Sequence, residues 1–78
     1  REIELTLREF DLLRALIARP GQGLPRRRLY ELVWHGEPAM DSRTLDAHVR
    51  SLREKIEQDP AHPTRIVTLR GLGYRFDG

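Results

Sequence analysis

The chain opens on an alternating stretch. In residues 1–6, Ile3 and Leu5 flank Glu4, with Glu2 and Thr6 outside, and this predicts a short half-buried strand. Thr6 and Glu9 then stand at capping-box spacing, so a helix starts near residue 7. Phe10, Leu13 and Ile17, with Leu12 and Leu16 beside them, form its apolar stripe, and Pro20-Gly21 ends it. Pro25 suits the first position of a second helix, whose buried face is Leu29, Leu32, Val33 and Trp34 and which Gly36 closes. After a loop through Met40, Asp41 or Ser42 caps a third helix. Its stripe is Leu45, Val49, Leu52 and Ile56; Asp59-Pro60 stops it. Residues 65–69 are mostly β-branched or apolar and 74–77 alternate, so they form a hairpin around Arg70-Gly71-Leu72-Gly73, whose glycines allow the positive φ angles of a tight turn. The first strand is expected to pair with this hairpin. The fold class is α+β, mainly α: a winged helix-turn-helix with three helices, a C-terminal β-hairpin wing and a short N-terminal strand.

Length makes this one domain over 1–78, with a thin core, since a chain this short buries only about 60% of its unfolded surface. A catalytic cavity beside such a core is not expected. Neither a Gly-x-Gly-x-x-Gly nor a P-loop occurs, Ser42, Ser51, Asp41 and Asp46 read as caps and surface pairs, and no cofactor is expected. Cysteine is absent, which removes disulfides and thiolate chemistry and is compatible with a reducing cytosol. His35, His48 and His62 lack ligand spacing, so no metal is expected. No apolar run approaches the roughly 20 residues of a membrane-spanning helix. The start at Arg1 reads as a piece cut from a longer protein.

The candidate chemistry is cationic. Arg43, Ala47 and Arg50 point away from the third helix's apolar stripe, with Thr44 and Ser51 on a flank, while Glu54, Glu57 and Asp59 make its far end acidic. A helix inserted into a DNA major groove has this asymmetry, and an arginine fork matches guanine or phosphate. The plainer reading is a surface helix with i,i+4 pairs Asp46–Arg50 and Arg50–Glu54. Arg70, beside two glycines, suits a narrow minor groove, or is a solvated turn tip. Arg26-Arg27-Arg28 opens the second helix against its macrodipole, which suggests phosphate contacts, or a solvated run aided by Glu31. Trp34 reads as partly buried, with its indole N–H near a phosphate; Tyr74 and Phe76 read as core; His48 contacts the DNA backbone or fills an edge.

Four linked motifs carry a resemblance. Leu5-Thr6-x-x-Glu9-x-x-Leu12-Leu13, Leu29-x-x-x-Val33-Trp34, Arg43-Thr44-Leu45-Asp46-x-His48-Val49-x-x-Leu52-Arg53-x-Lys55-Ile56 and Ile66-x-Thr68-Leu69-Arg70-Gly71-Leu72-Gly73-Tyr74 follow in order. Together they resemble the OmpR/PhoB-type winged-helix output domain of bacterial two-component response regulators. The resemblance implies sequence-specific binding of double-stranded DNA in transcription control, with a recognition helix over about 42–58 and a wing over about 65–77. It implies that Trp34, Arg43, Thr44, His48, Arg53, Thr68 and Tyr74 hold phosphates or support the DNA face, and that Arg50 and Ser51 read bases, on the helix face where small Ala47 allows close approach. It makes His35, Gly36, Glu37, Pro38, Ala39 and Met40 the loop that meets RNA polymerase. It further implies an upstream receiver domain, a sensor kinase and homodimers on direct-repeat half-sites. Family members usually carry a four-stranded sheet before the first helix, of which residues 1–6 match only the last strand. Pro25 stands where Ser or Thr usually caps the second helix.

Two functions stay open at this point: DNA binding, and a protein-interaction module that uses Arg26, Arg27, Arg28 and the following loop on an acidic partner. The net charge of +2 favours neither strongly. Residues 1–41 carry seven basic and seven acidic side chains, and residues 42–78 carry seven and five, so the excess lies with the third helix and hairpin.

Overall fold

The computed structural model describes residues 3–35 and 42–77. Three helices pack on a three-stranded antiparallel sheet in the order α1 (Leu7–Ile17), β1 (Leu24–Pro25), α2 (Arg26–Trp34), α3 (Ser42–Ile56), β2 (Ile66–Leu69), β3 (Gly73–Phe76). This is a winged helix-turn-helix.

α1 starts where its capping box places it: the Glu9 amide donates to Thr6 Oγ1 (3.2 Å) and the Thr6 amide donates to Glu9 Oε1 (2.9 Å). Its seam differs from the expected one. Leu12 and Leu16 are fully buried, with Glu9 on the same face, whereas Phe10 and Ile17 are about half exposed. At 100° per residue, positions 9, 12 and 16 share a face, and 10 and 17 lie one step around the cylinder.

The expected N-terminal strand is also corrected. Residues 3–6 form no strand. The third strand is β1, with Leu24 opposite Tyr74 and Pro25 opposite Gly73, so the sheet order is β1-β3-β2. The Gly21 amide donates to the Phe76 carbonyl (2.8 Å) and the Arg26 amide to the Leu72 carbonyl (3.1 Å), which extends the pairing on both sides of β1. Pro25 is tolerated because the strand ends there and hands over to α2, for which it is the N-cap residue.

The hairpin glycines divide the work. Gly71 has φ +76°, as the turn requires. Gly73 is there for close approach: a Cβ on it would run into the Leu24 carbonyl oxygen and the Arg26 amide nitrogen.

α2 ends at His35, a left-handed residue with φ 54° whose amide donates to the Glu31 carbonyl (2.9 Å). Gly36, expected to close that helix, and Asp41, an expected cap of α3, lie outside the described residues. Leu29, Val33 and Trp34 from α2 and Leu45, Val49 and Leu52 from α3 join Leu12, Leu16, Leu24, Ile66 and Tyr74 in one core. Ile56 and Leu32 are only partly buried.

Glu57 follows α3 and is 7% exposed. Its carboxylate accepts from the amides of Thr64 (3.0 Å), Arg65 (3.0 Å) and Ile66 (2.7 Å). Burial opposes its ionisation, but these amides outweigh it and hold its pKa below the usual carboxylate value. The expectation that Glu57 adds to an acidic outer end of α3 is therefore corrected, because its charge is spent on anchoring the entry to β2.

Candidate nucleic-acid interface

α3 is held in place from three sides, and the anchors decide which of its side chains remain outward. From α1, Glu9 (3% exposed) accepts from Lys55 Nζ (2.6 Å) and from the Ser51 hydroxyl. Burial favours the neutral acid, but the Lys55 and Ser51 hydrogen bonds and the Thr6 amide prevail, and the pKa falls to about 2. From the sheet, the Tyr74 hydroxyl donates to Asp46 Oδ1 (2.5 Å), while Arg26, at the start of α2, pairs with Asp46 Oδ2. Burial raises the Tyr74 pKa and the Asp46 hydrogen bond adds to the rise; Asp46 itself, against the cost of burial, is held low by Arg26 and Tyr74. From the wing, the Arg53 guanidinium donates to the Ile66 carbonyl (2.8 Å) and to Thr68 Oγ1 (2.8 Å) and lies 5.5 Å from the Tyr74 ring centroid.

The expected i,i+4 pairs do not form. Asp46 turns to Arg26 and Tyr74, and among the described residues Arg50 has neither an ion pair nor a hydrogen bond. Arg43, Ala47 and Arg50 lie exposed on one face of α3. Asp46, Ser51 and Glu54 join them in lining a shallow surface depression. Arg70 is exposed at the wing tip and, like Arg50, has no partner among the described residues. The same holds for Arg27 and Arg28 at the start of α2, whereas Arg26 is engaged with Asp46.

Several other expected site residues make contacts within the fold. Trp34 is 3% exposed, stacks on Tyr30 (centroids 5.7 Å apart) and meets the His48 ring edge-on at 5.1 Å. Arg8, unremarked in the sequence, lies 5.7 Å from the Trp34 ring centroid and donates to the Val33 carbonyl (2.7 Å). His48 Nδ1 is 2.8 Å from the Thr44 carbonyl oxygen. A carbonyl only accepts, so Nδ1 carries the proton and Nε2 is left as the ring's second polar atom. Tyr74 is 5% exposed and Thr68 is exposed beside Arg53. His35 is exposed at the end of α2; Gly36, Glu37, Pro38, Ala39 and Met40 of the expected polymerase loop lie outside the described residues.

The sequence missed Asp46 as a junction because i,i+4 spacing offered it a nearer arginine. It missed the Glu9–Lys55 pair because 46 residues separate the partners. The one signal was that Lys55 is the sole lysine in an arginine-rich chain. Electrostatically, the exposed charges of this face are mainly cationic, since Asp46, Glu9 and Glu57 are each occupied by internal donors. Glu54, exposed further along α3, is the acidic exception. Among the described residues no group of three or more His, Asp or Glu side chains is placed to hold a metal ion.

Comparison with known proteins agrees with this geometry. Residues 1–76 match the family model described as "Transcriptional regulatory protein, C terminal". The sensory transduction protein RegX3 of Mycolicibacterium smegmatis is 50% identical over 76 residues, which are 97% of this chain and 33% of that protein. The response regulator DrrB of Thermotoga maritima, an OmpR/PhoB homologue, superposes with a TM-score of 0.89 at 36% identity, covering 97% of this chain and 34% of that one. The Klebsiella pneumoniae RstA DNA-binding domain, solved in complex with the RstA box, superposes with a TM-score of 0.81 at 33% identity, covering 95% and 73%. The chain thus spans about a third of the length of the curated relative.

Proposed function

Because the chain belongs to the family of transcriptional regulatory C-terminal domains, the winged-helix DNA-binding domains of OmpR/PhoB-type response regulators, we propose that it binds double-stranded DNA site-specifically as the output domain of such a regulator. The family is regulatory and not catalytic. In this reading α3 lies in the major groove, and the wing sets Arg70 at the adjacent minor groove, whose negative potential attracts arginine. Arg27, Arg28 and His48 meet phosphates, while Trp34, Tyr74, Arg53 and Thr68 hold the surface that does so.

The observation that carries the reading is the exposed Arg43–Ala47–Arg50 face beside the wing, with Arg50 and Arg70 unpaired although carboxylates stand within a turn of α3. An unpaired, ordered cation on such a face is accounted for by an anionic partner. The RstA domain's complex supports the same use of the fold.

In the whole protein, a receiver domain addressed by a sensor kinase controls this domain, which pairs with a second copy on direct-repeat half-sites in the bacterial cytoplasm. The segment from His35 through Met40 meets RNA polymerase.

Two variant pairs test the reading. Replacing Arg50 and Arg70 by alanine should weaken duplex binding by at least an order of magnitude, since each contact is worth about 1–3 kcal/mol. Replacing Arg27 and Arg28 should lower affinity by a similar factor for every duplex, without regard to sequence. A chain that binds duplex DNA equally well with and without Arg50 and Arg70 would rule out the assignment of this face and favour a protein partner at the α2 arginines.

A further inference from the structure

Resting on that DNA reading, we infer that Asp46 is a positioning residue of the interface: its carboxylate locks α3 to the wing, so that the helix and Arg70 meet DNA as one rigid unit.

Asp46 is an acid on the face assigned to DNA. It lines the same surface depression as Arg43, Ala47 and Arg50, and its side chain is 42% exposed. Against the cost of burial, Arg26 and Tyr74 keep it ionised. As a surface charge alone it would repel phosphates and weaken binding. Its contacts give it another role. Oδ1 receives the Tyr74 hydroxyl (2.5 Å) and Oδ2 the Arg26 guanidinium, so each oxygen is engaged by a different element.

Those two elements belong to one body. Leu24 and Pro25 pair with Tyr74 and Gly73, and the Arg26 amide donates to the Leu72 carbonyl (3.1 Å), so the start of α2 and the wing strand β3 move together. Asp46 is where α3 joins that body. A second joint lies seven residues on, where Arg53 donates to the Ile66 carbonyl and Thr68 Oγ1 in β2. Seven residues are about 10.5 Å of helix. Thr68 and Tyr74 stand opposite each other in the hairpin, so both joints meet the same rung, two residues from Arg70. A helix held at one point pivots; held at two points along its axis, it keeps a fixed angle to the strands. With that angle fixed, seating α3 delivers Arg70 to its site without a further loss of orientational freedom. With Arg53 as the only joint, Arg70 has to find its site separately.

The experiment is a double-mutant cycle read as affinity for a duplex that the wild-type chain enriches from a random pool, measured at several stated salt concentrations. D46N and Y74F are each combined with R70A, and D46N also with R50A; folding of every variant is checked by the emission of Trp34, the sole tryptophan. D46N should weaken binding about fivefold or more, although it removes a negative charge from the face. R70A should cost about fivefold or more in the wild type and less than about twofold on D46N or Y74F, because the contact it removes is already uncoupled. R50A, on α3 itself, should cost the same in D46N as in the wild type, within about twofold. D46N should also flatten the salt slope by about one phosphate contact, as R70A does. Y74F keeps the cycle readable if D46N fails to fold, since it removes the joint and leaves the carboxylate. The inference is overturned if D46N binds as tightly as the wild type or more tightly. It is overturned too if R70A costs the same in every background, as it would were Asp46 only a support of overall stability, or if D46N loses affinity with an unchanged salt slope, as loss of a base contact would. Any of these outcomes, with the wild-type chain still binding the duplex, overturns this inference alone. Absence of any duplex binding removes the DNA reading with it.

Discussion

Replacing Glu9 by glutamine keeps the side chain's shape and removes its charge at the point where α1 grips α3. The carboxylate accepts from the Thr6 amide (2.9 Å), from Lys55 Nζ (2.6 Å) and from the Ser51 hydroxyl. Hydrogen bonds to a charged acceptor contribute about 1.5–3 kcal/mol each, against about 0.5–1.5 for neutral pairs. Over three bonds, with Lys55 and Ser51 free to turn partly to water, the loss comes to about 2–4 kcal/mol. The lowered pKa gives an independent figure. A fall from 4.5 to about 2 corresponds to about 3 kcal/mol of stabilisation of the ionised form. For a chain of 78 residues, whose whole stability is of the order of 4–12 kcal/mol, this is a large share. The sign with pH is fixed by the depressed value: the stabilisation is complete above about pH 4.5 and disappears as pH falls through 2. Urea unfolding read by the fluorescence of Trp34, the sole tryptophan and 3% exposed, measures it. E9Q should be less stable by about 3 kcal/mol at pH 7, and the difference should shrink towards zero between pH 4.5 and 2. Asp46 and Glu57 also titrate low, but they are common to both proteins and cancel in the difference. A difference that stays constant with pH, or never exceeds about 0.5 kcal/mol, would refute the buried ionic link.

Three further outcomes follow from the packing. Gly73→Ala forces a methyl into the β1 backbone at Leu24 and should cost at least about 1–3 kcal/mol in the same unfolding assay, while Gly71→Ala is penalised only by its φ of +76°, by about 1 kcal/mol. Tyr74→Phe removes the donor to Asp46 and should cost about 1–3 kcal/mol; because Asp46 then loses one of the groups holding its pKa low, its carboxyl resonance in NMR should titrate at higher pH than in the wild type. Arg53→Lys cannot span the Ile66 carbonyl and Thr68 together, so hydrogen exchange in β2 should accelerate with little change in α1.

The helices, the hairpin and the capping box were legible because each is written in adjacent residues: Thr6 with Glu9, the Leu45–Val49–Leu52 spacing, the glycines around Leu72. β1 was not legible, because two residues containing a proline give no alternation, and only the bare Gly73 opposite them lets the backbones meet. The α1 seam was misplaced by one helical step, since Phe10 and Ile17 are as apolar as Leu12 and Leu16 and periodicity alone cannot rank two neighbouring stripes. The candidate face was read correctly for exposure at Arg43, Ala47 and Arg50. The partners of Asp46, Ser51 and Glu57 were not legible because they come from other elements: Arg26 and Tyr74, Glu9, and the amides that open β2. Sequence spacing shows which charges are near along a helix; it does not show which donor from another element reaches them first.

The most direct test of the DNA assignment is the salt dependence of affinity for an enriched duplex, followed by fluorescence anisotropy for the wild-type chain, R50A and R70A. Each phosphate neutralised contributes about −0.9 to the slope of log affinity against log salt. With Arg70 and the α2 arginines on phosphates, the wild-type slope should be about −3 or steeper, and R70A should reduce it by about one. R50A should lose affinity for the matched duplex with a nearly unchanged slope, as a base contact does. A flat salt response, or slopes and affinities that neither substitution alters, would contradict the account.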